Sequence, residues 1–185
     1  MGSSDGSQRS WYQEIEVLLP ANELSQRVTA LGQQITDDYQ GRSLCLVGVL
    51  KGCFTFYADL ARAIDLPLRC DFIAISTYGD ASESSGVVEI TNDLSQPVAG
   101  LDVLVVEDII DTGLTMSYLL DNLRTRRPRS VSVCALLEKP DKAKIAIPID
   151  YRGFTIPNDF VVGYGLDFAG LYRNLPYVGI YHGQT

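Results

Sequence analysis

The stretch that most constrains this chain runs from Val103 to Thr115, Val-Leu-Val-Val-Glu-Asp-Ile-Ile-Asp-Thr-Gly-Leu-Thr. Its opening, Val103 to Val106, is short, apolar and β-branched, the pattern of a strand buried on both faces. Glu107, Asp108 and Asp111 follow in a polar turn, and Met116 to Leu123 reads as a helix. A buried strand, a polar turn and a helix start form the layout of a phosphate site in an open α/β sheet. Ligands there sit beyond the carboxyl ends of parallel strands, where the free N–H groups of a helix start favour an anion. Thr112 and Thr115 add hydroxyl donors, and Gly113 lets backbone approach a phosphate oxygen. Three acids beside a phosphate cradle point to a ligand that also carries sugar hydroxyls and a divalent metal, because carboxylates accept from vicinal hydroxyls and help hold Mg2+ among phosphate oxygens.

The rest of the chain repeats strand-then-helix. Ile15 to Leu19 reads as a short strand. Leu24, Val28, Leu31 and Ile35 recur at helical spacing between Ala21 and Tyr39. Ser43 to Leu50 is a buried strand, and Phe54 to Ile64 a helix with Phe56, Leu60 and Ile64 on one face. Further strands are expected at Arg69–Ser76, Val87–Ile90, Ser130–Leu137, Val161–Gly163 and Tyr177–Tyr181. This alternation implies a parallel α/β sheet. Residues 1–10 are small and polar and read as a disordered tail, leaving 11–185 as one domain. Arg124 to Arg129 reads as a solvated helix end.

A formal net charge of −8 disfavours nucleic-acid partners, which need clustered Lys and Arg. The four cysteines show no zinc spacing; Cys45 and Cys134 lie in apolar runs as reduced core thiols, consistent with a cytoplasmic protein. No apolar run is long enough to span a membrane. With His182 as the sole histidine, a His-based triad is nearly excluded. No phosphate-loop lysine signature G-x-x-x-x-G-K-[ST] occurs, and Gly163-Tyr-Gly165 lacks the third glycine of a dinucleotide fingerprint.

Val105-Val-Glu-Asp-Ile-Ile-Asp-Thr-Gly-Leu-Thr115 resembles the 5-phosphoribosyl-1-pyrophosphate (PRPP) signature of type I phosphoribosyltransferases, in the form carried by those acting on hypoxanthine and guanine. The resemblance extends to Leu50-Lys-Gly-Cys53, Ser76-Thr-Tyr-Gly79, Leu136-Leu-Glu-Lys139, and Gly153 through Asp167 with Tyr172-Arg173. It implies a mostly parallel twisted sheet flanked by helices, a small hood subdomain built from the N-terminal segment and residues about 150–185, and a mobile lid loop. The implied reaction is Mg2+-dependent transfer of ribose 5-phosphate from PRPP to N9 of hypoxanthine or guanine, yielding IMP or GMP and pyrophosphate, in a homodimer or homotetramer.

The resemblance also distributes roles. Glu107 and Asp108 would take the ribose hydroxyls and orient the Mg2+ shell, and Asp167 would serve a second Mg2+, directly or through water. Asp111, Thr112, Gly113, Leu114 and Thr115 would hold the 5′-phosphate, with Asp111 as general base. Lys51, Gly52 and Arg173 would meet pyrophosphate, and the peptide bond before Lys51 can be cis in that family. Lys139 would donate to the purine 6-oxo group, with Phe160 stacking on the base and Val161 and Asp167 at its edge. Ser76, Thr77 and Tyr78 would belong to the lid. Taken alone, the Lys51 turn is equally an ordinary loop, Phe160 reads as core, and Asp167 and Arg173 as surface charges. Leu114, Ala169-Gly170 and Asn174 depart from commoner family residues and leave base preference open. The rivals are relatives acting on adenine, xanthine or orotate, an RNA-binding regulator that keeps the fold, and a silent binding module.

Overall fold

The computed structural model describes residues 14–78 and 87–183. Its centre is a six-stranded sheet made of β2 (Leu44–Leu50), β3 (Arg69–Tyr78), β4 (Val87–Asn92), β5 (Asp102–Ile110), β6 (Ser130–Glu138) and β7 (Tyr151–Thr155), in the order β4-β3-β2-β5-β6-β7. Every neighbouring pair is parallel except β3–β4, which is antiparallel. A second sheet, β1-β9-β8, ties β1 (Ile15–Leu19) to β9 (Val178–Tyr181) and β8 (Val161–Val162). The N-terminal strand is thereby sewn to the C-terminal segment.

Two-sided burial explains the apolar runs. Leu44 and Leu46 of β2, with Leu104 and Val106 of β5, pack under α1 (Ala21–Asp38) and α2 (Phe54–Ala63). The alternate residues, Cys45, Val47, Val103 and Val105, pack under α3 (Leu114–Thr125). Strand periodicity of two therefore divides each run between two cores. Leu119 and Leu123 of α3 are fully buried, each worth about 1.5–3 kcal/mol of transfer free energy. None of the described helices is long and apolar enough to cross a membrane. All four cysteines are free thiols, and Cys45 and Cys134 are buried as expected.

The chain order of the sheet reverses between β2 and β5, since β3 lies outward of β2 and β6 outward of β5. The carboxyl ends of these two strands define the crevice of an open α/β sheet. Two expectations need correction here. The carboxylates Glu107 and Asp108 lie on β5 and not in a turn, because β6 keeps pairing through Glu107–Ala135 and Ile110–Glu138. β2 pairs with β5 only as far as Val106, so the acidic end of β5 is sheet on one side and open on the other. The basic run Arg124–Arg129 is likewise more than a solvated helix end. Arg126 bonds Asn122 and Asp93, while Arg129 reaches Asp102 at 3.0 Å and the carbonyl of Gly100.

Asp102, fully buried at the start of β5, also takes Arg42 at 2.6 Å and the Ser130 hydroxyl at 2.7 Å. Burial pushes its pKa up, but the hydrogen bonds and charges of these partners outweigh that and hold it below the ordinary carboxylate range. A depressed carboxyl contributes stability above its unfolded pKa and loses it as pH falls through the folded one. Asp102→Asn should cost about 2 kcal/mol at pH 7 in urea unfolding, a figure tempered by the exposure of both arginines. The gap between parent and variant should close below the ordinary carboxylate range.

Candidate active site

Three strand ends build the site. β2 ends in Lys51-Gly52-Cys53, with a cis peptide between Leu50 and Lys51. β5 ends in the acids and the turn Asp111–Gly113, and β6 ends in Lys139. The approach of the first two is intimate: a Cβ built on Gly52 would lie 1.7 Å from Asp108 Oδ2. Only glycine leaves room there for the carboxylate. Gly165, with φ of +106°, presses against the same loop, its notional Cβ 2.1 Å from the Gly52 carbonyl oxygen. Gly165, one of the two glycines that mimic a dinucleotide fingerprint in sequence, thus seats the C-terminal segment on the Lys51 loop.

Gly113 adopts φ +80° and precedes α3, and as the N-cap residue it has no side chain with which to cap the helix. The N–H groups of a helix's first turn lack helical partners. At this one only the Leu114 N–H finds the Thr112 hydroxyl, at a long 3.5 Å. A cavity over this turn is lined by Glu107, Asp111, Thr112, Gly113, Thr115 and Met116. Free amides, two hydroxyls and a helix start make it a receptor for a phosphate-sized anion. Leu114 is exposed and its side chain is not part of that lining.

A wider cleft adjoins it, lined by Lys51, Gly52, Asp108, Asp111, Lys139 and Lys142, with Phe160, Val161, Asp167 and Arg173 on the C-terminal side. Asp111 belongs to both cavities. Lys139 is buried, and its ammonium donates to the carbonyl of Asp159 at 2.6 Å. Burial first, then the charge of Lys142, lowers its pKa. Phe160 is 44 % exposed and is braced edge-on by Phe168 and Tyr181, so it forms a wall of the cleft and not core. Arg173 does not point free: it donates to the Gly165 carbonyl at 2.8 Å and pairs with Asp167 at 2.7 Å. Asp167 in turn accepts the Gly170 N–H.

Glu107 and Asp108 form a tight acid pair. Burial, then the neighbouring Asp108, raises the Glu107 pKa well above the ordinary value, and burial also raises that of Asp108. No cation among the described residues forms a salt bridge to either. Two crowded carboxyls beside a phosphate-shaped cavity suit Mg2+. Among the described residues no three His, Cys, Asp or Glu side chains gather as a metal cage. A magnesium ion here would therefore take most of its oxygens from phosphate, sugar and water, which is its habit.

Ser76 lies near the end of β3 with its hydroxyl buried and unpartnered among the described residues. The side chains of Thr77 and Tyr78, and the expected lid beyond them at 79–86, lie outside the described residues. Sequence reasoning missed Lys142, which pairs with Asp111 at 3.3 Å, and the carbonyl of Asp159. The sole available signal was a second lysine three residues after Lys139.

The acid pair makes a stability prediction. A carboxyl raised in the folded state loses stability as pH climbs from its unfolded value toward the folded one. Glu107→Gln should therefore be more stable than the parent at pH 8 without divalent metal, on the order of 1 kcal/mol. The advantage should vanish near pH 4, as read by thermal unfolding at both pH values.

Comparison with known proteins agrees with this geometry. The family model described as "Phosphoribosyl transferase domain" matches residues 15–169. The hypoxanthine-guanine phosphoribosyltransferase of Mycobacterium avium is 52 % identical over 169 residues, 88 % of this chain and 83 % of that protein. The hypoxanthine phosphoribosyltransferase of Salmonella typhimurium is 45 % identical over 167 residues, covering 89 % and 94 %. A crystal structure of a hypoxanthine phosphoribosyltransferase from Staphylococcus aureus superposes with a TM-score of 0.90 at 41 % identity, covering 95 % of this chain and 96 % of that one. Motif, topology and crevice thus converge, and the chain belongs to the phosphoribosyltransferase family, in its hypoxanthine-guanine branch.

Proposed function

We propose that this protein transfers the 5-phosphoribosyl group of PRPP to N9 of hypoxanthine and guanine, releasing pyrophosphate and forming IMP and GMP for purine salvage. The observation that carries the reading is the place of Asp111. It stands in the wall between a phosphate-shaped cavity and a cleft holding a buried lysine and an exposed aromatic ring. A ribose bridging those two cavities would have its C1′ beside that carboxylate.

In this mechanism the turn Asp111–Thr115 holds the 5′-phosphate with backbone N–H groups and the Thr112 and Thr115 hydroxyls. Glu107 and Asp108 accept hydrogen bonds from the ribose hydroxyls. Their carboxylates would also hold a magnesium ion that would neutralise the departing pyrophosphate, and Asp167 would serve a second one, directly or through water. The Lys51–Gly52 loop and Arg173 receive that pyrophosphate, Arg173 by its fork of donors. Phe160 stacks on the purine, Val161 offers backbone to its edge, and Lys139 donates to the 6-oxo group. The C1′–O bond to pyrophosphate breaks with its electron pair leaving on oxygen. N9 then bonds to C1′, and the ring proton passes to Asp111. Charge develops at C1′ in an oxocarbenium-like transition state, so exclusion of water matters. We assign Ser76, Thr77 and Tyr78 to a lid with that task.

Lys139 enforces selectivity because adenine presents a 6-amino donor where Lys139 needs an acceptor. PRPP and free purine bases are cytoplasmic substrates, and a homodimer or homotetramer is the assembly we expect. The runner-up, an RNA-binding regulator on the same fold, is disfavoured by the net charge of −8.

An absorbance assay with PRPP and Mg2+, offering hypoxanthine, guanine, xanthine and adenine separately, tests the reading. Turnover of hypoxanthine or guanine should depend on the metal and fall about 10²–10⁴-fold in Asp111→Asn, the usual contribution of a positioned base. Turnover of no base while PRPP still binds would overturn it. Lys139→Met should raise KM for hypoxanthine at least tenfold while leaving KM for PRPP within about twofold, since a lost hydrogen bond to a charged donor is worth about 1.5–3 kcal/mol.

A further inference from the structure

One short segment touches four consecutive residues of the phosphate turn. The N–H of Lys139 donates to the Ile110 carbonyl at 3.0 Å, and the N–H groups of Lys144 and Ile145 both donate to that of Thr112, at 3.0 and 3.1 Å. The Ile145 carbonyl lies against Gly113, 2.3 Å from where a Cβ would stand. Between them, the ammonium of Lys142 donates to Asp111 Oδ2 at 3.3 Å. The backbone of Lys142 is itself fixed by a 3-10 turn over Pro140–Lys142, its N–H bonded to the Lys139 carbonyl. Residues 139–145 thus splint the turn, with backbone on either side of Asp111 and a side chain on Asp111 itself.

The carboxylate needs such a restraint. Asp111 Oδ1 is buried with no partner among the described residues, while the side chain as a whole is 37 % exposed. The part open to the cleft therefore carries Oδ2, the oxygen Lys142 engages. A half-exposed ion pair contributes little to folding. Its effect on geometry is another matter: a carboxyl free to turn about its last torsion would exchange its two oxygens and lose alignment with an incoming ring N–H. A carboxylate oxygen accepts more than one hydrogen bond, so Lys142 can stay in place as substrate arrives.

We propose that Lys142 is a positioning residue for the transferase reaction, holding the Asp111 carboxylate so that Oδ2 faces the purine. This rests on the assignment of Asp111 as proton acceptor. The Lys142 N–H bonds to the Lys139 carbonyl across the 3-10 turn, so the segment that reads the base and the segment that aligns the acceptor are one structure. Base docking at Lys139 and proton transfer at Asp111 are then mechanically linked, and neither lysine replaces the other.

Steady-state kinetics of the full-length protein with PRPP, Mg2+ and hypoxanthine test this. Lys142→Met should lower kcat about tenfold or more while KM for PRPP and for hypoxanthine stay within about twofold, the signature of an interaction felt in the transition state. Lys142→Arg, which keeps charge and reach, should restore most of kcat; a merely structural role would not produce this split between kcat and KM. Adding Lys142→Met to Asp111→Asn should cost nothing further, because the residue it positions is already disabled. An unchanged kcat in Lys142→Met, or losses that multiply in the double variant, would overturn the proposal. If Lys142→Met does not fold, Lys142→Gln takes its place in the same comparison. Full activity in Asp111→Asn alone would instead remove the assignment of Asp111, a distinguishable failure.

Discussion

Everything in this protein depends on β2 and β5 lying side by side and parallel at the middle of the sheet. That pairing brings the Lys51–Gly52 turn against the acidic end of β5, close enough that a single methyl at Gly52 would displace Asp108. It also creates the crevice, because helices after these strands leave in opposite directions to cover opposite faces. The stabilising force is plain burial. The apolar runs of β2 and β5 are shared between two cores, and that burial offsets the cost of crowding carboxyl groups at one edge.

The cost is visible in the acid pair. Glu107 and Asp108 sit together, desolvated, with no cation among the described residues forming a salt bridge to either. Elsewhere the fold avoids this arrangement: buried Asp102 has two arginines and a hydroxyl, and Asp71 takes the Ser95 and Gln96 amides. The same chain therefore pairs its structural acids with cations or amides and leaves Glu107 and Asp108 without a salt bridge among the described residues. Such an imbalance is what a site waiting for sugar hydroxyls and a hydrated metal requires. Opposite the acids, Arg173 is stored on Asp167 and on the Gly165 carbonyl. The Arg173 guanidinium and the Asp167 carboxylate thus neutralise each other in this structure.

The phosphate turn shows how a site on a loop acquires rigidity. Its own sequence offers Gly113 in a left-handed conformation and a helix start, both of which position N–H groups. Stiffness comes from a distant segment, 139–145, through backbone bonds that any residue could make and one lysine that few could replace. Lys139 and the bonds that brace the turn belong to one element, the kind of rigidity that proximity catalysis needs.

Much of the molecule was legible in the chain alone, and the reason is local. Burial on two faces writes itself as a continuous apolar run, helix amphipathicity as the spacing of Leu24, Val28, Leu31 and Ile35, and anion binding as a glycine and two threonines before a helix. The family resemblance rode on such local strings. What only the tertiary structure decided were relations between strings. β5 extends through its acids because β6 continues beside it, and Arg129, itself still exposed, pairs with Asp102 because that carboxylate is buried within reach. Phe160 becomes a cleft wall because Phe168 and Tyr181 brace it, and Lys142 finds Asp111 across 31 residues of chain. Local pattern records what a residue's own backbone and neighbours require; the partner of a charge or a carbonyl is set by packing, which the order of residues does not display.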